Sequence, residues 1–195
     1  GFVTNVMLLK IIHESFFALW FFLPAGIANM MPIFAARWPV IKNWEFPMDF
    51  GLTFRGKRVF GSHKTIRGLV VGIIFATLTL WLQQLAVEHV GWLSDWVTHV
   101  DYWMLPTLIL GPLFAIGALL GDAIESFFKR QINIAPGDGW FPFDQIDYIV
   151  GGAIATWAFV PLSFKQYALL IFLWFLTHVI ATTVGYLIGV KDKPI

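Results

Sequence analysis

The sequence predicts an all-α integral membrane protein of about five transmembrane helices, with the N-terminus outside and the C-terminus in the cytoplasm. Three observations support this fold class. Of the 195 residues, 58% are hydrophobic and only 13% are charged, whereas soluble domains have about 45–50% and about 25%. The apolar residues fall into five runs that approach the roughly 20 residues needed to cross a bilayer. The basic residues gather on one side when these runs are taken as spans.

The five predicted spans cover residues 8–34, 66–87, 103–128, 144–162 and 167–190. The first contains Pro24 and Pro32, so we expect a kink or an early end there. The fourth reaches a spanning length only if its polar start is counted. No stretch is long enough for a separate soluble domain, so residues 1–195 are predicted to form one membrane-embedded domain.

The distribution of basic residues predicts the orientation. Eleven of the thirteen Lys and Arg residues would lie on one side, namely seven between residues 37 and 67, and Lys129, Arg130, Lys191 and Lys193. The opposite side would keep only Lys10 and Lys165. The positive-inside rule therefore places the loops at 35–65 and 129–143 in the cytoplasm.

The basic loop ends in "GKRVFGSHKTIRG", residues 56–68, which only approximates a phosphate-binding P-loop. Two glycines have the required gap, but the lysine and threonine come two residues too late. Thr65 or Ser62 could cap the helix that follows. Open backbone N–H groups at that helix start, beside Lys64 and Arg67, would attract an anion. A basic anchor for lipid headgroups is the alternative interpretation.

An acidic cluster begins near the end of the third predicted span. Asp122, Glu125, Ser126 and Lys129 are spaced i, i+3, i+4 and i+7, so they share one helix face. Asp122 lies about two turns before the basic pair that should mark the membrane boundary. A carboxylate at that depth is costly and usually faces a polar interior.

Three further aspartates follow in the next segment. Asp138 lies in a Pro-Gly loop, and Asp144 and Asp147 begin the fourth span at i and i+3. Crowded carboxylates repel one another at a low-dielectric boundary, and a divalent cation such as Mg²⁺ would offset this because it takes carboxylate and phosphate oxygens. The alternative is a salt-bridged hairpin in which Lys129 and Arg130 neutralise the acids. A basic cradle beside an acidic one predicts phosphoryl or nucleotidyl transfer.

These motifs resemble two related families of lipid enzymes. Ser126-Phe-Phe-Lys-Arg and Asp144-Gln-Ile-Asp resemble the signature of phosphatidate cytidylyltransferases (CDP-diacylglycerol synthases), but that signature's His-Gly-Gly is absent and five spans are fewer than usual. The CDP-archaeol synthase family resembles the chain over nearly its whole length. The shared motifs are "PMDFG" at 47–51, "GSHKTIRG" at 61–68, Gly-Asp at 121–122, and Asp-Gln-Ile-Asp.

The resemblance implies transfer of CMP from CTP to an isoprenoid ether lipid phosphate in the cell membrane, giving CDP-archaeol and pyrophosphate. It also implies Mg²⁺ dependence and a cytoplasmic active site. The implied metal-binding residues are Asp122, Asp144, Asp147 and Asp138. The implied CTP-binding residues are Asp49, Lys57, Gly61, Lys64, Thr65, Arg67 and Ser126. Lys129 and Arg130 are expected to complete the catalytic group by receiving the lipid phosphate.

Several alternatives stay open at this stage. A CDP-diacylglycerol synthase would act on phosphatidate instead, and a cation channel or transporter would need a line of acids across the bilayer. A CDP-alcohol phosphotransferase would need an Ala-Arg pair that the chain lacks after Asp138-Gly139. The bilayer is an expected partner, nucleic acid is not, and the sequence leaves a homodimer open.

Two remaining features concern helix packing. Gly111, Gly117 and Gly121 in the third span predict close helix contacts or room for lipid chains. His178, near three threonines in the fifth span, predicts interhelical hydrogen bonds.

Overall fold

The structure, a computed structural model, describes residues 2–189, and side chains from residue 4 onward. The predicted tail cations Lys191 and Lys193 therefore lie outside the described residues. The described helices are α1 (Phe2–Phe21), α2 (Leu23–Arg37), α3 (Ile66–His89), α4 (Gly91–Trp96), α5 (Thr107–Gln131), α6 (Phe143–Thr156) and α7 (Phe164–Leu187). A hairpin of β1 (Thr53–Phe54) and β2 (Lys57–Arg58) lies between α2 and α3, and a 3-10 turn at Tyr102–Met104 precedes α5.

Within residues 2–189, three helices, α3, α5 and α7, are long and apolar enough to cross a membrane, and the bent pair α1–α2 makes a fourth if it is one span. Helix α6 ends at Thr156, before the end of the predicted fourth span at residue 162. Its 14 residues rise about 21 Å, against a hydrocarbon core of about 30 Å. The N–H groups of Phe159 and Val160 both donate to the carbonyl of Thr156 in the turn that follows, and Pro161 keeps the helix from continuing past residue 160, since it lacks an N–H and disfavours helix in the residue before it. The count of five spans therefore stays a prediction.

The predicted kink in the first span is confirmed. Helices α1 and α2 meet at Phe22 with a bend of 43°, and Pro24 occupies the first turn of α2. Proline fits that position because the first N–H groups of a helix have no intrahelical partner. Pro32 remains inside α2.

Helices α5 and α6 touch along a glycine seam, which confirms the predicted close packing. A Cβ on Gly121 would lie 2.3 Å from the carbonyl oxygen of Asp147, and one on Gly151 would lie 2.2 Å from the carbonyl oxygen of Gly117. No side chain fits between backbones at these distances. The seam therefore brings Asp122, the residue after Gly121, beside Asp147.

Aromatic side chains fill the far half of the bundle, meaning the half next to residues 90–106. Phe17, Phe21, Phe22 and Phe114 are at most 2% exposed, and their rings pack in pairs with centroids 5.3–5.9 Å apart. Trp174 of α7 joins them by donating its Nε1–H to the carbonyl of residue 18 at 3.1 Å. The polar residues of the predicted site lie in the other half.

Candidate active site

The loop between α2 and α3 folds around Asp49, which is 3% exposed. Its carboxylate accepts the N–H groups of Gly51 (3.0 Å), Phe60 (3.0 Å) and Gly61 (3.1 Å), and it pairs with the Arg58 guanidinium at 2.5 Å. Burial alone would raise the pKa of Asp49, but the hydrogen bonds from Arg58 and the three N–H groups outweigh burial and lower it to about 2. Asp49 therefore holds the loop in shape.

The base of this loop forms the start of α3. The N–H of Ile66 donates to the carbonyl of Phe46 at 2.8 Å. The Thr65 hydroxyl accepts the N–H of Gly68 at 3.2 Å, which confirms Thr65 as the helix cap. The expectation of open N–H groups at this helix start is wrong for Ile66 and Gly68, because the loop itself uses both donors.

The basic residues of the loop have different partners. Lys57 donates to the last carbonyl of α5 at 2.7 Å, so it caps that helix. Arg67, 5% exposed, donates to the carbonyl of Lys42. Lys64 reaches the acidic cluster and pairs with Asp122 at 2.5 Å. Lys64 thus connects the loop to the acidic cluster by its ion pair with Asp122 of α5.

Three carboxylates from α5 and α6 form a compact triad. Oxygens of Asp122, Glu125 and Asp147 lie within 4.8 Å of one another. Glu125 Oε1 and Asp147 Oδ2 are buried and have no hydrogen-bond partner in the described structure. Buried charged oxygens are costly unless they are paired or bind a cation. The triad could therefore hold a metal ion, and its open oxygens fit one.

Asp144, predicted as a metal ligand, lies beside the triad rather than in it. Its oxygens accept the Lys129 ammonium at 2.7 Å and the backbone N–H of Trp140. Lys129 also lies 3.6 Å from Glu125 Oε1. Glu125 takes the place in the cluster that the sequence assigned to Asp144, and its i+3 spacing from Asp122 was the available signal.

The salt-bridged alternative describes one part of this cluster. Lys129 does pair with Asp144, but Arg130 donates to the carbonyl of Ala135 at 3.2 Å instead. The triad and Asp144 are four carboxylates against two directly paired lysines, Lys64 and Lys129. The formal excess is two negative charges, which one divalent cation would balance.

Two adjoining cavities of about 640 Å³ and about 550 Å³ open at this cluster. The residues that line both are His63, Lys64, Asp122, Asp144 and His178. The first cavity extends between α2 and α3 and is also lined by Asn29, Pro32, Thr65 and Arg67. The second extends along α5 to the Pro-Gly loop and is also lined by Gly61, Ser126, Lys129, Arg130 and Asp138.

Most of the predicted site residues therefore line one of the two cavities. Three of them do not. Asp49 and Lys57 hold the loop from outside the cavities, and Asp147 lies behind the lining, facing Asp122. Sequence reasoning missed Glu125 as a triad member, and it interpreted His178 as a packing residue although His178 lines both cavities.

Comparison with known proteins gives a consistent set of matches. The family model described as CarS-like CDP-archaeol synthase matches residues 8–195. A CDP-archaeol synthase of Methanospirillum hungatei is 37% identical over 179 residues, covering 88% of this chain and 99% of that protein. Another from Methanocaldococcus jannaschii is 29% identical over 180 residues, covering 91% and 95%.

A solved structure has a similar fold. It is described as an intramembrane enzyme for archaeal membrane lipids biosynthesis, and it matches with a TM-score of 0.65 and 28% sequence identity. The match covers 84% of this chain and 91% of the solved one. The similarity thus extends over most of each protein.

Proposed function

Because the chain belongs to the CDP-archaeol synthase family, we propose that it is a membrane cytidylyltransferase that uses CTP. It transfers CMP to the phosphate of 2,3-di-O-geranylgeranylglycerol 1-phosphate and releases CDP-archaeol and pyrophosphate. The observation that carries this proposal is the cleft where the partly buried triad and Lys64 meet two adjoining cavities.

The proposal includes five crossings of the cell membrane, with the N-terminus outside and both site loops, 35–65 and 129–143, in the cytoplasm. The excess of basic residues on the loop side supports this orientation. In this arrangement residues 157–163 continue the chain from the end of α6 to the outer side of the membrane. Helix α7 then crosses back to the cytoplasmic side. The contact of Trp174 with α1 supports that path, since it places the first half of α7 in the far half of the bundle.

We assign Mg²⁺ to Asp122, Glu125 and Asp147, with Asp144 and Asp138 beside them. Asp147 Oδ2 and Glu125 Oε1 support this assignment because both are buried without a hydrogen-bond donor in the described structure, although Lys129 lies 3.6 Å from Glu125 Oε1. Hard carboxylate oxygens suit Mg²⁺. Bound there, the ion would neutralise the phosphate charges of the nucleotide.

CTP is assigned to the cleft beside the loop, where Lys64, Thr65 and Arg67 line the first cavity. Gly61 and Ser126 line the second cavity and would approach the same ligand from the other side. Among the described residues the Lys64 ammonium is hydrogen-bonded to Asp122 alone, so it would be able to turn toward the phosphates. Asp49 and Lys57 contribute indirectly by holding the loop.

The lipid phosphate is assigned to Lys129 and Arg130, with its chains left in the bilayer. An oxygen of this phosphate attacks the α-phosphorus of CTP, and the bond from that phosphorus to the bridging oxygen of the β-phosphate breaks. Pyrophosphate leaves with that bond's electron pair. A phosphate monoester is already ionised near neutral pH, so the side chains need only position and neutralise the reactants.

A cation channel agrees less well with the structure. The far half of the bundle contains the Glu14–His99 pair, with 3.1 Å between its oxygen and nitrogen. The buried ring of Phe17 packs against His99 with centroids 4.8 Å apart. The rings of Phe21 and Phe114 continue this apolar layer at centroid distances of 5.6 Å and 5.3 Å. A conducting path needs polar groups or water across this layer, and apolar rings supply neither.

The test offers the purified protein radiolabelled CTP, Mg²⁺ and a panel of lipid phosphates that includes the geranylgeranyl ether lipid and phosphatidate. We expect CDP-lipid and pyrophosphate in equal amounts, with the ether lipid preferred. Preference for phosphatidate would make the protein a CDP-diacylglycerol synthase. Ion flux in liposomes without CTP consumption would contradict the enzymatic proposal.

A further inference from the structure

One face of α7 changes from apolar to polar along the helix. Leu170, Trp174, His178 and Thr182 follow one another at intervals of four residues, so they share one side of α7. Leu170 and Trp174 are buried in the aromatic core. Thr182 is only 7% exposed, and His178 is partly buried. Polar side chains turned inward on a membrane helix are costly, and they usually mark a functional path.

His178 lies where the two cavities meet. Of the five residues that line both, Lys64, Asp122 and Asp144 belong to the charged cluster, and His63 belongs to the loop. His178 is the one contributed by α7. If CTP and the lipid phosphate approach from different cavities, their reacting phosphates must meet at this junction.

The neighbour of His178 restricts its ring. The imidazole packs against the ring of Tyr148, with centroids 5.5 Å apart and planes at 39°. Tyr148 is 3% exposed and follows Asp147 directly on α6. The histidine is therefore oriented by the same helix that supplies a carboxylate to the triad, so its position is coupled to the site.

We propose that the imidazole of His178 donates a hydrogen bond to a non-bridging phosphate oxygen at this junction during CMP transfer. This inference rests on the proposed function and adds a residue to it. A donor fixed in place before the reaction stabilises charge on phosphate oxygens without reorganisation. His178 forms and breaks no covalent bond in this role. The competing role is purely structural, as a hydrogen-bonding residue between α6 and α7.

The experiment compares His178→Ala and His178→Gln with wild-type protein in the radiolabelled CTP assay. We expect kcat to fall about 100-fold in His178→Ala, the usual cost of one fixed donor to a reacting oxyanion. His178→Gln keeps an N–H donor and should recover part of the rate. Thr177→Ala is the matched control, because Thr177 is exposed on α7 and its hydroxyl bonds the carbonyl of Leu173 at 2.9 Å.

A second readout separates contact with phosphate from structural support. Pyrophosphate with Mg²⁺ should raise the melting temperature of wild type and Thr177→Ala more than that of His178→Ala. Wild-type turnover by His178→Ala would overturn the assignment while the proposed function stood. Loss of turnover with unchanged pyrophosphate protection and a lowered melting temperature would also overturn it, in favour of the structural role. If wild type forms no CDP-lipid, the proposed function fails and this inference falls with it.

Discussion

The chain buries acidic side chains in two regions, and the two regions treat them differently. Asp49 in the loop accepts hydrogen bonds from three backbone N–H groups and the Arg58 side chain. The triad on α5 and α6 keeps Glu125 Oε1 and Asp147 Oδ2 buried without a hydrogen-bond donor in the described structure. Burial alone therefore does not distinguish these two regions, whereas the number of hydrogen-bond donors does.

The physical reason is the cost of an unmatched buried charge. A carboxylate with all its lone pairs satisfied stabilises the loop that supplies the donors. A carboxylate with open oxygens in a low-dielectric site destabilises the free protein until a cation arrives. Such an arrangement persists only if it is useful, which is why we assign binding to the triad and support to Asp49.

The largest expected effect comes from Asp147→Asn. The amide keeps the shape but removes a charged ligand from the triad, so we expect turnover to be lost while the melting temperature stays equal or rises. The rise would follow from relieved repulsion with Asp122 and Glu125. CDP-lipid formation and melting in detergent measure the two effects. A folded Asp147→Asn protein with normal turnover would show that the metal assignment is wrong.

The glycine seam should be nearly as sensitive. The methyl group of Gly121→Ala would meet the carbonyl oxygen of Asp147 at 2.3 Å, so α5 and α6 must separate and the triad must open. We expect a loss of about 1–3 kcal/mol in stability, typical of overpacking, together with most of the turnover. Gly91→Ala is the matched control, since no atom lies within 4 Å of its added Cβ. Equal behaviour of the two variants would contradict a tight seam.

Mg²⁺ should stabilise the protein through the triad and not through the loop. A concentration ten times the dissociation constant stabilises the folded state by about 1.4 kcal/mol, which is measurable as a rise in melting temperature. We expect this rise in wild type and in Asp49→Asn, and not in Asp122→Asn or Asp147→Asn. A rise that survives in Asp147→Asn would place the ion elsewhere.

Asp49→Asn should lower the local stability of the loop and leave most of the turnover. Losing the charge-assisted bonds of this side chain costs about 1.5–3 kcal/mol locally, so hydrogen exchange at residues 49–61 should accelerate and the KM for CTP should rise more than kcat falls. A fall in kcat as large as that of Asp147→Asn would mean that Asp49 acts in the reaction and does not only support the loop.

The pH dependence of the same loop follows from its lowered pKa. The folded pKa of Asp49 is about 2, below an unfolded value of about 3.9. Its contribution to stability is therefore complete above about pH 5 and is lost progressively as the pH falls through the folded value of about 2. Exchange protection of residues 49–61 should stay constant between pH 5 and 8, after correction for the intrinsic exchange rate. A decline within that range would mean that another group controls the loop.

The sequence predicted those parts of the site that depend on local spacing and on the cost of charge in a membrane. Asp122 was identifiable because it lies in an apolar run, and the seam because glycines recur at positions 117 and 121. That Asp144 pairs with Lys129 rather than joining the triad could not be read from the sequence, although the i+3 spacing placed Glu125 on the same helix face as Asp122. The pairing depends on where Lys129 points, and Lys129 has Glu125 four residues before it and Asp144 on another helix.

The loop and α7 show the same limit. The donors to Asp49 come from up to twelve residues away, so its role depends on a fold that no local motif specifies. The sequence predicted interhelical hydrogen bonds for His178 from its threonine neighbours, and only the position of α7 shows that His178 also lines the cavities. Helix α6 ends at Thr156 although apolar residues continue to Leu162, so the sequence alone did not show where the helix stops within the predicted fourth span.

The smallest expected effect is that of Lys57→Met, although Lys57 belongs to the same basic loop as Lys64. Its ammonium donates to the last carbonyl of α5 at 2.7 Å, and one such hydrogen bond contributes about 0.5–1.5 kcal/mol to stability. We therefore expect a slight fall in melting temperature and an unchanged KM for CTP. Lys64→Met is the matched comparison, because it removes the cation paired with Asp122 and should raise that KM strongly. Equal rises in the two variants would mean that Lys57 leaves α5 to bind the nucleotide, and the boundary between the supporting loop and the reactive cleft would then have to include it.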